Sequence, residues 1–398
     1  MNKHADEIKL LEETCKKNGT KAMMEKFHAC ANRWRNTDIK VAVVGQTGVG
    51  KSSFVNAIRK IKNPDNPSYA PVSAVKEGTP QIKKYPHPTH KNLIFYDVPG
   101  VGTATVPRET YLQRIEVDKY DIFIIITAVR FMENDCWLAK EVEKRNKHYY
   151  FVRSKIDADV ENERKRVKKR ENETVCAIRD SIKESLREQK ITPTQVFLLS
   201  NFDTDKYDFT DLTIHIKNDL PLWRKEAFVL SMAAFSSEFL EEKKKTLSSR
   251  IYWVAAGSAL AATLPIPGTG FAADIAIIRG ETALYREQLE IDNESLTVIS
   301  KEVGIPMAEL IKDDRVTSAK ILNNPLDFCD EIGFSFARWI LDFYPLINTL
   351  SGLFAWKYCA AALDNILNIC IAEAEFRDKR AGAHITRQYE NDTDDSRQ

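Results

Sequence analysis

The chain has 398 residues, and its 58 Lys and Arg against 57 Asp and Glu leave a formal net charge of +1. This balance excludes a basic field that would attract nucleic acid over the whole surface, so we expect no nucleic-acid partner. A basic run within residues 161–173 is interspersed with acids, and a solvated helix face explains it better than a nucleic-acid site does. The seven cysteines contain no Cys-x-x-Cys pair, which indicates reduced thiols in a cytosolic protein.

The N-terminal region predicts a helix and no export signal. Residues 1–7 contain no apolar run, and Asn2 stands where the usual myristoylation motif needs glycine. We therefore expect a cytoplasmic protein that is not secreted. Residues 4–34 are predicted to be helical, because their apolar side chains recur at helical spacing.

Apolar, β-branched runs alternate with stretches long enough to form helices across the first half of the chain. Each run is apolar on both faces, as strands covered by helices on both sides must be. We therefore predict an α/β domain with a mostly parallel sheet and helices on both faces. The predicted strands are 39–44, 92–96, 121–127, 149–152 and 195–199.

The strand pattern stops after Pro221, and the rest of the chain is predicted to be all-helical. This divides the chain into an N-terminal helical segment (1–37), an α/β domain (38–221) and a C-terminal helical domain (222–380). We expect the N-terminal segment to pack on the helical domain. The polar residues 381–398 are predicted to be disordered.

A glycine-rich loop follows the first predicted strand and has the sequence Gly-x₄-Gly-Lys-Ser. In such a loop the backbone N–H groups and the following helix N-terminus face the phosphates of a nucleotide. Lys51 is expected to bridge the β- and γ-phosphates, and the Ser52 hydroxyl to bind Mg²⁺. The predicted nucleotide contacts of this loop are Gly45, Gln46, Thr47, Gly48, Val49, Gly50, Lys51, Ser52 and Ser53.

A second motif, Asp-Val-Pro-Gly from Asp97 to Gly100, closes the next predicted strand. An aspartate at the carboxyl end of a strand beside the phosphate loop can hold Mg²⁺ through water. Gly100 can donate its N–H to the γ-phosphate. The two motifs together predict a nucleoside triphosphate site with Mg²⁺.

The third motif selects the base. Ser154-Lys155-Ile-Asp157 follows a predicted strand and is similar to the Asn/Thr-Lys-x-Asp guanine motif. A carboxylate at Asp157 accepts hydrogen bonds from guanine N1–H and the 2-amino group, whereas adenine would leave it unpaired. The stem of Lys155 can lie along the base. Ser200 and Asn201, after the last predicted strand, are expected to supply a backbone N–H to guanine O6. The predicted ligands are therefore GTP and GDP.

Two switch segments are expected beside the γ-phosphate: the first lies between Ser52 and Asp97, and the second begins at the Asp-Val-Pro-Gly motif and continues to Val101. Thr79 is the best candidate to reach Mg²⁺ and the γ-phosphate, with Thr47, Ser68 and Ser73 as alternatives. Val101 follows the Asp-x-Pro-Gly motif, where a glutamine would orient the attacking water. Valine cannot do so, and we therefore expect slow intrinsic hydrolysis unless another group completes the site.

These residues carry a resemblance to a known family. The chain resembles the immunity-related (interferon-inducible, p47) GTPases over nearly its full length, specifically in the α/β domain and more loosely in the helical half. The Gly-Lys-Ser in the phosphate loop is similar to one subgroup. The segments that carry the resemblance are 45–58, 77–79, 96–103, 150–159, 197–201 and 219–221.

The resemblance implies a P-loop GTPase domain joined to a helical domain, and hydrolysis accelerated by GTP-dependent self-assembly through the nucleotide faces. It implies that Thr79 is the switch threonine, completing a metal set of Ser52, Thr79 and Asp97. It also implies that Glu77 acts in activation across a dimer, and the expected catalytic residues are then Lys51, Thr79, Glu77 and Gly100. Other family members as partners, and a role in cell-autonomous immunity at endoplasmic reticulum, Golgi or vacuolar membranes, are further implications.

Two apolar stretches raise the question of membrane contact. Residues 251–278 are split by a Pro- and Gly-rich turn at 265–270, so neither half is long enough to span a bilayer. Residues 346–372 are long enough, but Lys357 and Asp364 fall near their centre. We favour core helices for both stretches. The alternatives are a membrane-dipping hairpin for the first and a peripheral amphipathic contact for the second.

Overall fold

The structure is a computed structural model in which the chain divides into two compact units. One comprises Trp34–Phe239, and the other Met1–Arg33 together with Leu240–Gln398. The division falls after Phe239, whereas we predicted a boundary after Pro221. The structure describes residues 10, 13–14, 17–18, 22, 25–27, 29–72, 81–88, 90–101, 107–167, 170–191, 195–232, 236–262, 269–312, 314–331 and 348–395.

The first unit contains a six-stranded sheet in the order β2-β3-β1-β4-β5-β6. All neighbouring strands are parallel except β2 and β3, which are antiparallel. The mostly parallel sheet predicted from the sequence is thereby confirmed. The strands are β1 (Ile39–Gly45), β2 (Lys83–Pro86), β3 (Leu93–Pro99), β4 (Ile122–Thr127), β5 (His148–Arg153) and β6 (Val196–Leu198).

The sequence did not predict strand β2. Its four residues, Lys-Lys-Tyr-Pro, are exposed or half-buried at the edge of the sheet. An edge strand faces solvent, so it needs no apolar pattern, and charged residues and proline are common there. Its pairing with β3 is a contact between strands that no local pattern encodes.

Helices flank this sheet and bury its apolar faces. Large side chains such as Tyr111, Phe123 and Phe151 are fully buried in a core shared by the sheet and its helices. Burying each of them stabilises the fold by roughly 1.5–3 kcal/mol relative to exposure. The helices of this unit that lie wholly within it are α1 (Lys51–Ile58), α2 (Arg108–Arg114), α3 (Glu133–Glu143), α4 (Ile156–Val167), α5 (Glu171–Glu188), α6 (Phe209–Asp219) and α7 (Leu222–Ser231).

The second unit is helical in the residues that the structure describes. Phe27 packs against Gly257 and stacks on Trp253 with ring centroids 5.6 Å apart. The buried Arg250 pairs with Glu281 at 2.8 Å and donates to the Ala31 carbonyl. Its helices are α8 (Ser237–Ala262, which begins in the first unit), α9 (Thr269–Gln288), α10 (Asn293–Val303), α11 (Met307–Leu310), α12 (Ser318–Asn323), α13 (Pro325–Glu331) and α14 (Asn348–Asp395).

The last helix corrects one expectation. Helix α14 continues to Asp395, although residues 381–398 were predicted to be disordered. No proline or glycine follows Gly382, and a helix that is already formed extends over polar residues at little cost. Within α14, Lys357 and Asp364 lie on the exposed side, while Leu363 and Ile366 are buried. This pattern is typical of a helix packed along one face.

The structure also bears on membrane crossing. Among the helices that the structure describes, none combines the length and the apolar character needed to cross a bilayer. Residues 263–268, which include most of the turn predicted at 265–270, and the start of the second apolar stretch, at 346–347, lie outside the described residues.

Candidate nucleotide-binding site

The carboxyl ends of the parallel strands meet at one edge of the sheet. Strand pairing places Gly45 opposite Pro99, Val43 opposite Asp97, and Arg153 opposite both Thr127 and Leu198. The loops that follow these strands carry the three motifs found in the sequence. The fold therefore gathers them at the edge where open α/β sheets bind their ligands.

The loop between β1 and α1 has a backbone that only glycine adopts readily. Gly48 and Gly50 have φ angles of +82° and +95°, in the left-handed region. A Cβ atom on Gly45, the last residue of β1, would lie 2.3 Å from the Ile126 carbonyl oxygen, so the chain enters the loop too close to β4 for a side chain. The glycines at these positions are therefore required by the shape of the loop.

Lys51, Ser52 and Asp97 form the polar centre of the site. The Ser52 hydroxyl donates to Asp97 Oδ2 at 2.7 Å. Lys51 Nζ lies 3.8 Å from Asp97 Oδ1 and donates to the Gln46 carbonyl at 3.1 Å. Burial lowers the pKa of the Lys51 amine, and the Asp97 carboxylate partly offsets this. A hydroxyl and a carboxylate side by side fit the oxygen ligands that Mg²⁺ prefers.

The start of the second switch segment is held against the phosphate loop. A Cβ on Gly100 would lie 3.0 Å from the Gly45 carbonyl carbon, so the two backbones are in close contact. The Val101 side chain is fully buried in the core, and its carbonyl accepts from Gln46 Nε2 at 3.2 Å and Asn134 Nδ2 at 3.3 Å. The Val101 side chain therefore packs in the core shared by the sheet and its helices.

The first switch segment is only partly described. Ser73, Glu77 and Thr79 lie in residues 73–80, outside the described residues. Thr47 and Ser68, which the sequence also allows as the switch residue, are both exposed. The assignment of Thr79 to the metal and of Glu77 to activation therefore stays a prediction.

The base motif is joined to the phosphate loop by Ser154. This serine is fully buried, and its hydroxyl donates to the Val49 carbonyl at 2.5 Å. Lys155 follows with a φ of +61°, which turns the chain so that α4 begins at Ile156. Asp157 lies in the first turn of α4, and its side chain forms no hydrogen bond or ion pair with another described residue.

The loop after β6 completes this side of the site. The Ser200 hydroxyl accepts from the backbone N–H groups of Phe202 and Asp203, each at 3.2 Å, and so fixes a tight turn. Asn201 Nδ2 donates to the Gly50 carbonyl of the phosphate loop at 3.2 Å. The sequence predicted a backbone contact of Asn201 with the base and gave no sign of this side-chain contact, because nothing in the spacing relates residues 50 and 201.

The fold and the site together define a P-loop nucleotide-binding protein of the α/β class. Comparison with known proteins makes this specific, because the family model described as "Interferon-inducible GTPase (IIGP)" matches residues 4–324. The chain belongs to the interferon-inducible GTPase family, a class of GTP-hydrolysing enzymes. The resemblance found in the sequence is confirmed.

Individual relatives agree with this assignment. The chain is 36% identical over 270 residues to T-cell-specific guanine nucleotide triphosphate-binding protein 2 of Mus musculus, covering 67% of this chain and 64% of that protein. It is 32% identical over 276 residues to interferon-inducible GTPase 5 of Rattus norvegicus, covering 69% of this chain and 59% of the relative. The matched part thus spans less than two thirds of these relatives.

A solved structure is similar to this chain at a greater distance. Toc33 from Arabidopsis thaliana, crystallised with Mg²⁺ and GMPPNP, is 16% identical and covers 46% of this chain and 79% of its own, with a TM-score of 0.31. At that level of similarity no functional role is transferred from it.

Proposed function

We propose that this protein binds GTP with Mg²⁺ at the phosphate loop and hydrolyses it to GDP. The observation that carries the proposal is the hydrogen bond from the buried Ser154 hydroxyl to the Val49 carbonyl. It joins the loop suited to phosphates and the segment suited to guanine in one site.

The choice of guanine rests on Asp157. Its carboxylate accepts from guanine N1–H and the 2-amino group, and the side chain has no competing partner among the described residues. Adenine has an acceptor at N1 and no group at C2, so it would leave a desolvated carboxylate unpaired. That cost is about 1–3 kcal/mol, equivalent to roughly one to two decades of affinity. The aliphatic stem of Lys155 lies along the base in the same arrangement.

Hydrolysis depends on the metal and on the γ-phosphate contacts. Ser52 and Asp97, with Thr79 from the first switch segment, would hold Mg²⁺, which neutralises charge developing on the β- and γ-phosphates. Lys51 bridges these phosphates, and Gly100 donates its N–H to the γ-phosphate. Intrinsic turnover is slow, since the buried Val101 side chain offers no amide to orient the attacking water.

A second copy of the chain supplies the missing catalytic help in this proposal. The copies associate through their nucleotide faces, and Glu77 acts across the interface, so hydrolysis is cooperative. The support is the family membership together with the buried valine at position 101. Other family members can take the place of the second copy. Peripheral contact with internal or pathogen-containing membranes in innate immunity is part of the same proposal.

A second candidate function is a GTP-switched scaffold, in which nucleotide binding drives assembly and turnover is incidental. The observation that favours it is again Val101, because a site without a water-orienting side chain can hold GTP for long periods. The two functions differ in whether hydrolysis itself is needed to reset the assembly.

Nucleotide binding is tested by competition of GTP and ATP against a fluorescent GDP analogue. We expect GTP to compete at least about tenfold better than ATP. The Lys51→Ala variant should lose binding, while Lys62→Ala, at an exposed position after α1, should bind as the wild type does. Equal competition by ATP would refute the guanine assignment.

The Glu77→Ala variant separates the two candidate functions, with Glu188→Ala, at the exposed end of α5, as its matched control. The enzymatic account predicts that Glu77→Ala binds GTP normally but loses the acceleration of hydrolysis on self-association. Unchanged turnover and disassembly in this variant would contradict that account and favour the scaffold.

A further inference from the structure

Two consecutive peptide groups of the phosphate loop accept hydrogen bonds from side chains in the loops that are predicted to contact the base. The carbonyl of Val49 accepts from the Ser154 hydroxyl at 2.5 Å, and the carbonyl of Gly50 accepts from Asn201 Nδ2 at 3.2 Å. Ser154 follows β5 and Asn201 follows β6, so these are contacts from two loops that otherwise serve the base.

Holding these two carbonyls also orients the N–H groups of the same peptides. In a planar trans peptide the C=O and N–H bonds point in opposite directions. The Val49 carbonyl shares its peptide with the Gly50 N–H, and the Gly50 carbonyl shares its peptide with the Lys51 N–H. A donor that holds each carbonyl on one side therefore directs each N–H to the other, concave side of the loop, where phosphates bind.

Gly50 needs such a restraint more than its neighbours do. It has a φ of +95° and no Cβ, so its own covalent structure does little to fix its peptide. Its carbonyl also accepts from the Phe54 N–H at 2.8 Å, the bond that opens helix α1. The Asn201 amide adds a second donor from outside the helix.

We propose that Asn201 is a positioning residue for phosphate binding: its side chain, together with Ser154, aligns the N–H groups of Gly50 and Lys51 with the phosphates. Two residues are needed because the side chain at position 154 is short. The Ser154 hydroxyl has a single proton, and it lies within hydrogen-bond distance of Val49 O and also, at 3.2 Å, of Thr127 O. It cannot hold the Gly50 carbonyl as well, and Asn201 does so.

The orientation of the Asn201 amide supports the assignment. If the amide were reversed, its oxygen would face the Gly50 carbonyl oxygen and repel it, so the nitrogen is the atom at Gly50. Its Oδ1 is buried and has no hydrogen-bond partner among the described residues. Donation to Gly50 is therefore the contact that a substitution at Asn201 removes.

The inference rests on the proposed nucleotide site and makes a distinct prediction. A residue that acts on the phosphate loop changes affinity equally for every base. A residue that acts on the base changes the ratio between bases. We therefore compare GDP with inosine diphosphate, which lacks the 2-amino group, in competition against a fluorescent GDP analogue. The variants are Asn201→Ala, Asn201→Asp and, for reference, Asp157→Asn.

We expect Asn201→Ala to weaken both nucleotides by the same factor, roughly three- to tenfold, the value of one hydrogen bond. Asn201→Asp keeps the size of the side chain but has no donor, and it should lose at least as much. Asp157→Asn should instead change the ratio of the two affinities. In phosphorus NMR of bound GDP, the β-phosphate signal should move in Asn201→Ala. Ser154→Thr keeps the hydroxyl, and it should bind GDP more tightly than Ser154→Ala does.

Unchanged affinity in both Asn201 variants, or a loss for GDP alone, would overturn the proposal. Thermal unfolding without nucleotide shows whether Asn201→Ala is folded, and if it is not, Asn201→Asp decides the question. Failure of the wild-type protein to bind GDP would refute the proposed function itself, a result distinct from either of these.

Discussion

The Ser52 hydroxyl donates a 2.7 Å hydrogen bond to Asp97 Oδ2, joining the first turn of α1 to the end of β3. The parallel pairing of β1 with β3 brings these residues together, because it sets Val43 opposite Asp97. The Lys51 amine lies 3.8 Å from Oδ1, the other oxygen of the same carboxylate. One aspartate thus serves both the residue expected to bind Mg²⁺ and the residue expected to bridge the phosphates.

Ser52→Ala should weaken GTP binding in a way that depends on Mg²⁺. The variant lacks a direct metal ligand, so at millimolar Mg²⁺ we expect a loss of roughly tenfold or more, while in excess EDTA it should bind much as the wild type does. Titration of a fluorescent GTP analogue under the two conditions checks this. An equal loss in both would show that the hydroxyl does not act through the metal.

Val101→Gln should not create an efficient hydrolase. The side chain at this position is buried in the core, where an added amide costs roughly 1–3 kcal/mol if it finds no partner. Urea unfolding should show that loss, and GTP turnover should not rise. Val129→Gln is the matched control, because Val129 is 73% exposed and its substitution should change stability by less than about 0.5 kcal/mol. Increased turnover in Val101→Gln would mean that the residue turns toward the nucleotide.

Asp157→Asn should change the preferred base from guanine to xanthine. An amide in place of the carboxylate donates to the 2-carbonyl of xanthine, whereas it opposes the 2-amino group of guanine with its own N–H. We expect GTP to lose roughly ten- to a hundredfold in affinity and xanthosine triphosphate to gain. Competition assays measure both, with the exposed Asp205→Asn as control. Retained preference for GTP would place base recognition elsewhere.

The helical unit offers a paired test of packing between its N-terminal segment and α8. A Cβ on Gly257 would lie 2.7 Å from the Phe27 ring, so Gly257→Ala should destabilise the protein by roughly 1–3 kcal/mol. Among the described residues, no atom other than the backbone of its own helix lies within 4 Å of such a Cβ at Gly280 in α9, and Gly280→Ala should stabilise by up to about 1 kcal/mol. Chemical unfolding measures both. Similar effects of the two substitutions would contradict the contact with Phe27.

The strands and the phosphate loop could be predicted from the sequence because their signals are local. A β-branched run followed by Gly-x₄-Gly-Lys-Ser specifies a strand, a turn and a helix within a few residues, and β1 and α1 form there. Asp97 was predicted beside the loop by the same reasoning, since carboxyl ends of parallel strands share one edge.

Contacts between distant segments could not be predicted in this way. The bonds from Asn201 to Gly50 and from Gln46 to Val101 depend on how loops approach one another in space. Strand β2 has a polar sequence without an apolar pattern, and it is recognised as a strand by its pairing with β3. The end of α14 was missed because polar residues extend a formed helix without an apolar pattern.

The most direct test of the account is the rate of GTP hydrolysis per molecule, measured over a wide range of protein concentrations with saturating GTP and Mg²⁺. A site completed by a second copy predicts a rate per molecule that is low at dilution and rises with protein concentration until the protein is fully associated. A rate per molecule that stays constant over the whole range would contradict it.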